Sequence, residues 1–341
     1  MSKEWGRGPM DCEYRGSSWE RKARNELVDL WCFNYFQEAE MFYTVTLNTG
    51  LDYIAATTTR ETGKTNRTHD EYVVPGGKGL NVSVILSRLG EETTALSFVS
   101  GFTGKEVERL MQEENVNCDF IDVGRGFTRI NVKLVAEETT EFNGSGIELR
   151  EEEIAALEEK LKKLTADDVL ILSGNIPRGA DKDIYLRLAK ASGAGKVVVD
   201  ANGSALLTAL SARPFLIKPN LDELEEVLHV KIDNKDGLVR GALALQNMGA
   251  RNVLISMGAD GAVLVTEDGE VFSAEAPKGK VATTIGAGDS MVAGWLHKYF
   301  ETQDPYQALL YSVAAGTATA FSSWLAPKGL IDALYQTIQE E

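Results

Sequence analysis

Val169-Leu170-Ile171-Leu172-Ser173, Val197-Val198-Val199-Asp200, Phe215-Leu216-Ile217-Lys218 and Val253-Leu254-Ile255-Ser256 are four short apolar runs, each closing on a polar residue. Helical patterns fill the intervals, over residues 181–191, 204–210, 221–228 and 235–248. A strand that is apolar on both faces must be covered on both faces, and regular alternation with helices supplies the cover. The stretch 169–256 therefore predicts a parallel sheet between two helical layers, an α/β/α sandwich.

Working outward, the segment 150–164 puts Ile154, Leu157, Leu161 and Leu164 on one helical face, with acids early and lysines late, as the helix dipole prefers. A first strand is expected over Met41–Asn48, a helix over Gly79–Leu89, a strand over Thr93–Ser100 and a helix over Gly104–Glu114. Downstream, a meander over Ala262–Thr266, Glu270–Ala274 and Val281–Thr284 precedes two long helices, 287–300 and 304–322. Two β-rich stretches without helices, about 51–74 and 118–143, do not fit a doubly wound core. They are expected to form a small separate sheet, a lid over the C-terminal strand edge where such sheets bind ligands. Residues 1–40 lack a sustained pattern before Ser18, so the working domain is expected to run from Met41 to Glu341 behind an N-terminal extension.

The bulk properties narrow the function. A net charge of −16 on 341 residues argues against a general nucleic-acid or membrane-surface binder. It does not forbid an anionic substrate, since a phosphate answers to the few charges in its pocket. Cys12, Cys32 and Cys118 form no C-x-x-C pair, and His69, His229 and His297 have no zinc-site spacing. No apolar run reaches the roughly 18 residues of a spanning helix, and a cytoplasmic location is expected.

Chemistry concentrates at strand ends. In Thr283-Thr284-Ile285-Gly286-Ala287-Gly288-Asp289 small residues lead into a helix whose first turn carries an acid. Amides at such a helix start form an anion hole, and Asp289 beside them is placed to take a proton. A plain N-terminal capping acid would look the same locally. Gly76-Gly77-Lys78-Gly79-Leu80-Asn81 allows close backbone approach and offers Asn81 to hydroxyls, although taken alone the segment reads better as a flexible loop with a capping Asn. Asp52, after the first strand, can accept from two hydroxyls. Lys218-Pro219-Asn220-Leu221-Asp222-Glu223 spaces Asn220 and Glu223 for Mg²⁺, or for a capping box. Gly63-Lys64-Thr65 and Gly104-Lys105-Glu106 are not Walker motifs, lacking respectively the upstream glycine and the following hydroxyl.

Taken in order, these motifs, with Ser173-Gly174-Asn175-Ile176-Pro177-Arg178-Gly179 and Ser256-Met257-Gly258-Ala259-Asp260-Gly261, resemble the ribokinase-like (PfkB) carbohydrate kinases over residues 41–341. The resemblance implies a three-layer domain with a β-sheet lid that also serves as the contact of a homodimer. It implies ATP as co-substrate, Mg²⁺, Asp289 as base and Gly286, Ala287 and Gly288 as the anion hole. It further implies Asn220 and Glu223 at the metal, and Lys218, Ser256, Gly258, Gly261 and Gly288 at the nucleotide. A sugar phosphate is expected on Asp52, Gly76, Gly77, Lys78 and Asn81, with Lys64, Arg67, Arg129 and Asn131 around its phosphate and hydroxyls.

Within the family the chain is most similar to the 1-phosphofructokinase and tagatose-6-phosphate kinase group, through Thr128-Arg129-Ile130-Asn131 and Thr140-Glu141-Phe142-Asn143-Gly144. Phosphorylation of D-fructose 1-phosphate is the expected reaction, and tagatose 6-phosphate, or a 6-phosphofructokinase reaction, the alternative. A catalytically silent sugar-phosphate sensor on the same scaffold would not need Asp289. One departure bears on the substrate. The family places a proline after the first strand, whereas this chain reads Asn48-Thr49-Gly50-Leu51-Asp52, which leaves the aim of Asp52 to be explained.

Overall fold

A computed structural model describes residues 41–58, 61–137 and 139–340, so the expected N-terminal extension lies outside the described residues. The strands are β1 (Phe42–Thr46), β2 (Gly50–Ala56), β3 (Asp70–Gly76), β4 (Thr93–Val99), β5 (Asn117–Cys118), β6 (Ile121–Asp122), β7 (Arg129–Val135), β8 (Thr140–Asn143), β9 (Val169–Ser173), β10 (Lys196–Asp200), β11 (Leu216–Ile217), β12 (Asn252–Ser256), β13 (Ala262–Val265) and β14 (Val271–Ala274). The α-helices are α1 (Lys78–Leu89), α2 (Gly101–Glu113), α3 (Glu151–Leu161), α4 (Ile184–Ala191), α5 (Gly203–Ala209), α6 (Leu221–Leu228), α7 (Lys235–Asn247), α8 (Ala287–Thr302), α9 (Pro305–Ala320) and α10 (Lys328–Glu340).

The large sheet has the order β14-β13-β12-β11-β10-β9-β1-β4-β5, with β6 also on β4. Its pairs are parallel from β12 through β4 and on to β5 and β6, while β13 and β14 are antiparallel additions. Alternate side chains leave the strands on opposite faces, and two apolar layers result. One joins Val169, Ile171, Val198 and Leu254 to α1, α8 and α9, with Trp295 fully buried among them. The other joins Leu170, Leu172, Val199 and Ile255 to α3, α4, α5 and α7. This is the three-layer α/β/α architecture that alternation predicts.

The second sheet has the order β3-β2-β7-β8, with β2 and β7 parallel and its outer pairs antiparallel. It is the expected lid, with one correction to its bounds. Residues 118–123 do not belong to it, because β5 and β6 pair in parallel with β4 and extend the large sheet. Two-residue strands carry too little pattern to reveal which sheet holds them. A second correction concerns Val281–Thr284, which forms no strand. The N–H groups of Ala282 and Thr283 instead donate to the carbonyl of Ala320 at the end of α9. The helix α10 was not anticipated. Its single fully buried residue is Ile331, so most of its apolar stripe lies half-covered at the surface.

Candidate active site

The C-terminal ends of β1, β9, β10, β11 and β12 open toward the lid, and the cleft between them is lined by Thr46, Lys78, Ser173, Asp200, Lys218 and Ser256 on the core side. Asp52, Arg129 and Lys133 face it from the lid, and Gly286, Gly288 and Asp289 close one end. Gly286 sits at φ 78° just before α8, a left-handed turn that side chains resist. A Cβ there would lie 2.6 Å from Leu325 Cδ2, so the turn also needs the missing side chain. The amides of Ala287 and Gly288 thus begin a helix at the cleft, as the sequence predicts for an anion hole.

Asp289 is 6% exposed, and its Oδ2 accepts from Asn81 Nδ2 at 2.7 Å. Burial, followed by the charge of Asp200, pushes its carboxyl up from 3.8 to about 6. A carboxylate in that range can hold or release a proton near neutrality. Asp200, at the end of β10, is buried between two amines, with Lys78 Nζ at 3.3 Å and Lys218 Nζ at 3.7 Å from Oδ1. Burial alone would raise its pKa, but Lys218 and Lys78 outweigh it and hold the group below the usual carboxylate range. The reverse applies to Lys78. Burial would lower its ammonium, yet Asp200, Asp289 and Glu223 hold it above the ordinary lysine value. Two cations and the start of α8 therefore share one end of a cleft in a strongly acidic protein.

On the lid, Arg129, Asn131 and Lys133 occupy alternate positions of β7 and face the same way. Asn131 lies directly across from Asp52 in the parallel β2–β7 pair, and its Nδ2 donates to Asp52 Oδ1 at 2.7 Å. Lys133 Nζ reaches Asp52 Oδ2 at 2.6 Å. Arg129 Nη1 donates to the Gly144 carbonyl at 3.2 Å, and burial lowers its pKa. Among the described residues, five buried side-chain polar atoms have no partner. Three of them, Arg129 Nε, Ser173 Oγ and Asp200 Oδ2, belong to side chains lining this cleft, and a fourth, Asn131 Oδ1, belongs to the residue that holds Asp52. Buried polar atoms are normally satisfied, so their concentration here marks a place for a polar ligand.

The other expected site residues divide. Gly76 and Gly77 form the β3–α1 joint, and a Cβ on Gly76 would meet Asp52 Oδ1 at 2.1 Å. Lys218 lies close to the anion hole, its Nζ 3.0 Å from where a Cβ on Gly288 would be. Gly258 and Gly261 do not line the cleft. They shape the turn after Ser256, and Gly261 packs its backbone against the Ala274 carbonyl. Asn220 and Glu223 line the cleft but also form the capping box of α6, each side chain accepting the other's backbone N–H at 2.8 and 2.9 Å. Lys64 and Arg67 do not come to the cleft. They are exposed in the β2–β3 connection, at the opposite end of those strands from Gly50 and Gly76, and Lys64 is paired with Glu61. A basic residue in a loop is no measure of which end of the strand it occupies.

Asp200 and Lys133 were not foreseen as site residues. Both left a signal. An acid ending the apolar run Val197–Val199 must find a cation once buried, and Lys218 ends the neighbouring strand. Lys133 continues the alternation of Arg129 and Asn131.

The profile of the pfkB family of carbohydrate kinases matches residues 46–325. A 1-phosphofructokinase of Bacillus subtilis is 39% identical over 88% of this chain and 99% of its own length. A D-tagatose-1-phosphate kinase of Bacillus licheniformis is 35% identical over 88% of this chain and 99% of its own. The crystal structure of phosphofructokinase-2 from Escherichia coli in complex with substrates and products superposes with a TM-score of 0.83, at 29% identity, covering 88% of this chain and 99% of that one.

Proposed function

Since this chain belongs to the pfkB family of carbohydrate kinases and is a phosphotransferase acting on a sugar hydroxyl, we propose that it phosphorylates the 6-hydroxyl of D-fructose 1-phosphate with ATP. The gathering of unpartnered polar atoms at the cleft that Asp289 shares with Lys78, Lys218, Asp52 and Arg129 carries this reading. D-Tagatose 1-phosphate, which differs from fructose 1-phosphate only in the configuration at carbon 4, is the second reading, favoured by the D-tagatose-1-phosphate kinase among the relatives.

In this reading Asp289 accepts the proton of the attacking primary hydroxyl, while Asn81 fixes the carboxylate by its 2.7 Å bond. The amides of Gly286, Ala287 and Gly288, with Lys78 and Lys218, receive the charge of the transferring phosphoryl group. Asp52, Asn81 and Asn131 hold the sugar hydroxyls. Arg129 holds the phosphate already present, since a guanidinium grips phosphate oxygens two at a time. The β11–α6 and β12–β13 turns, with Lys218, Asn220 and Ser256, are assigned to the nucleotide side. Among the described residues no group of three or more His, Cys, Asp or Glu could form a closed metal cage. Glu223, with one oxygen committed to its cap, and Asp200, with a buried unpartnered Oδ2, suit Mg²⁺, which takes one or two carboxylates and shares the rest of its shell with phosphates and water. When bound, Mg²⁺ neutralises phosphate charge.

The lid face also supports a homodimer. Beyond Lys133 it becomes apolar with Ile54, Ala56, Tyr72 and Val135, and Tyr72 and Val135 are each 37% exposed. Coupled ADP-release assays with a panel of ketohexose phosphates test the function. Turnover of fructose 1-phosphate above tagatose 1-phosphate and both 6-phosphates is expected. Preference for another member of the panel reassigns the substrate, and no turnover of any overturns the reading.

A further inference from the structure

The turn before Asp52 lacks the family's proline, yet Asp52 is among the best-fixed carboxylates in the molecule. Its side chain is buried, and both of its oxygens have protein donors, Asn131 Nδ2 on Oδ1 and Lys133 Nζ on Oδ2. The backbone explains how two residues of one strand reach it. In the β2–β7 register Asn131 is opposite Asp52, and Lys133 is opposite Ile54, two positions further along the same face. Lys133 folds back along the diagonal, which long side chains span. The turn itself is pinned from the same strand, since a Cβ on Gly50 would lie 2.9 Å from Asn131 Nδ2.

Two consequences follow from donor and acceptor identity. A carboxylate held by a side-chain donor on each oxygen keeps one orientation, so Asn131 and Lys133 together fix how Asp52 faces a ligand. Asn131 turns its amide nitrogen to that carboxylate, which leaves its Oδ1 buried and unpartnered. Each Asp52 oxygen retains a further lone pair. The result is a fixed carboxylate beside an ammonium that also lines the cleft. Such a pair suits sugar hydroxyls, each of which can donate to the carboxylate and accept from the ammonium.

We infer that Lys133 is a positioning residue for the sugar: with Asn131 it fixes the orientation of Asp52, the carboxylate that meets the sugar hydroxyls. This rests on the sugar-kinase reading above. Lys133 acts through its contact with Asp52 on the lid, so its effect is expected on sugar binding rather than on ATP.

The test compares Lys133→Met and Lys133→Arg with the parent enzyme, measuring kcat and both KM values with fructose 1-phosphate and ATP, alongside thermal melting. Lys133→Met should raise KM for the sugar phosphate about 10- to 100-fold, the usual cost of removing a charge-assisted partner, with KM for ATP within about twofold. Lys133→Arg, which retains the charge and with it the fold, should raise the same KM about three- to tenfold and leave ATP unchanged. If Lys133→Met fails to fold, Lys133→Arg alone decides. A sugar-phosphate KM within about twofold of the parent in the folded variants, or equal rises for sugar and ATP as from general loosening, overturns the inference while leaving the kinase reading intact. A parent enzyme that turns over no ketohexose phosphate overturns both.

Discussion

Asp289 is the residue on which the chemistry is concentrated. Its carboxyl is buried, held by Asn81 and pushed up to about 6 by desolvation and by Asp200. Asp289→Asn should keep the fold and ATP binding but lower kcat by about 10²- to 10⁴-fold, the usual worth of a positioned base, as steady-state kinetics will show. A base works only when deprotonated, so kcat/KM of the parent should fall as pH drops through about 6, and that acid limb should be absent from the residual activity of Asp289→Asn. The linked effect on stability has the opposite sign. A carboxyl whose folded pKa lies above its unfolded one binds its proton better when folded, so its favourable contribution is complete below about 3.8 and is lost as pH rises through about 6. Melting curves at pH 5 and pH 7 should therefore show the parent losing more ground to Asp289→Asn at the higher pH. Asp289 was legible in the sequence because a glycine-flanked acid at a helix start has few other uses in that company. Asp200 was not, because a single acid at a strand end reveals its partners only once neighbouring strands are aligned.

At the scale of the element, the lid is a sheet whose two faces do different work. One packs on α2, and the other carries Asp52, Arg129 and Lys133 toward the cleft, with Asn131 holding Asp52. The period of two made β7 readable as a strand and put Arg129 and Asn131 on one face. Arg129→Ala should raise KM for the sugar phosphate about 10- to 100-fold while leaving KM for ATP nearly unchanged, in the same coupled assay. Discrimination against unphosphorylated fructose should shrink with it, because that preference needs a cation to meet the existing phosphate. Equal changes in both KM values would remove Arg129 from the phosphate. Lys64 and Arg67 show where pattern reading stops. The family resemblance suggested them, but the hairpin carries that connection away from Gly50 and Gly76, and only the register reveals it. The short strands β5 and β6 fail for a related reason, since hydrogen bonds to β4 rather than any side-chain pattern define them.

For the whole molecule, the described residues from β1 onward form two sheets, two apolar layers and a cleft lined by residues of both sheets. A chain beginning at Met41 should accordingly fold, melt within a few degrees of the full protein and retain its kcat, as circular dichroism and the coupled assay will show. Insolubility or loss of activity would mean that the first 40 residues belong to the working domain. The three-layer core was legible because its strands are long enough, and apolar enough on both faces, to admit one arrangement. Pairing order within it was not, since β1 sits between β4 and β9 through contacts that no local pattern announces.

The lid is joined to the core by short connections, among them residues 47–49 and Gly77, and the two bodies hold separate halves of the cleft. The groups proposed to move a proton and a phosphoryl group lie on the core, and all but Asn81 of those proposed to recognise the sugar lie on a few strands of one small sheet. Selection can therefore act on the two halves independently. A lineage could acquire a new sugar by exchanging alternate residues of β2 and β7, a handful of codons, while the machinery of transfer is inherited unaltered. On this scaffold, a change of diet requires no reinvention of catalysis.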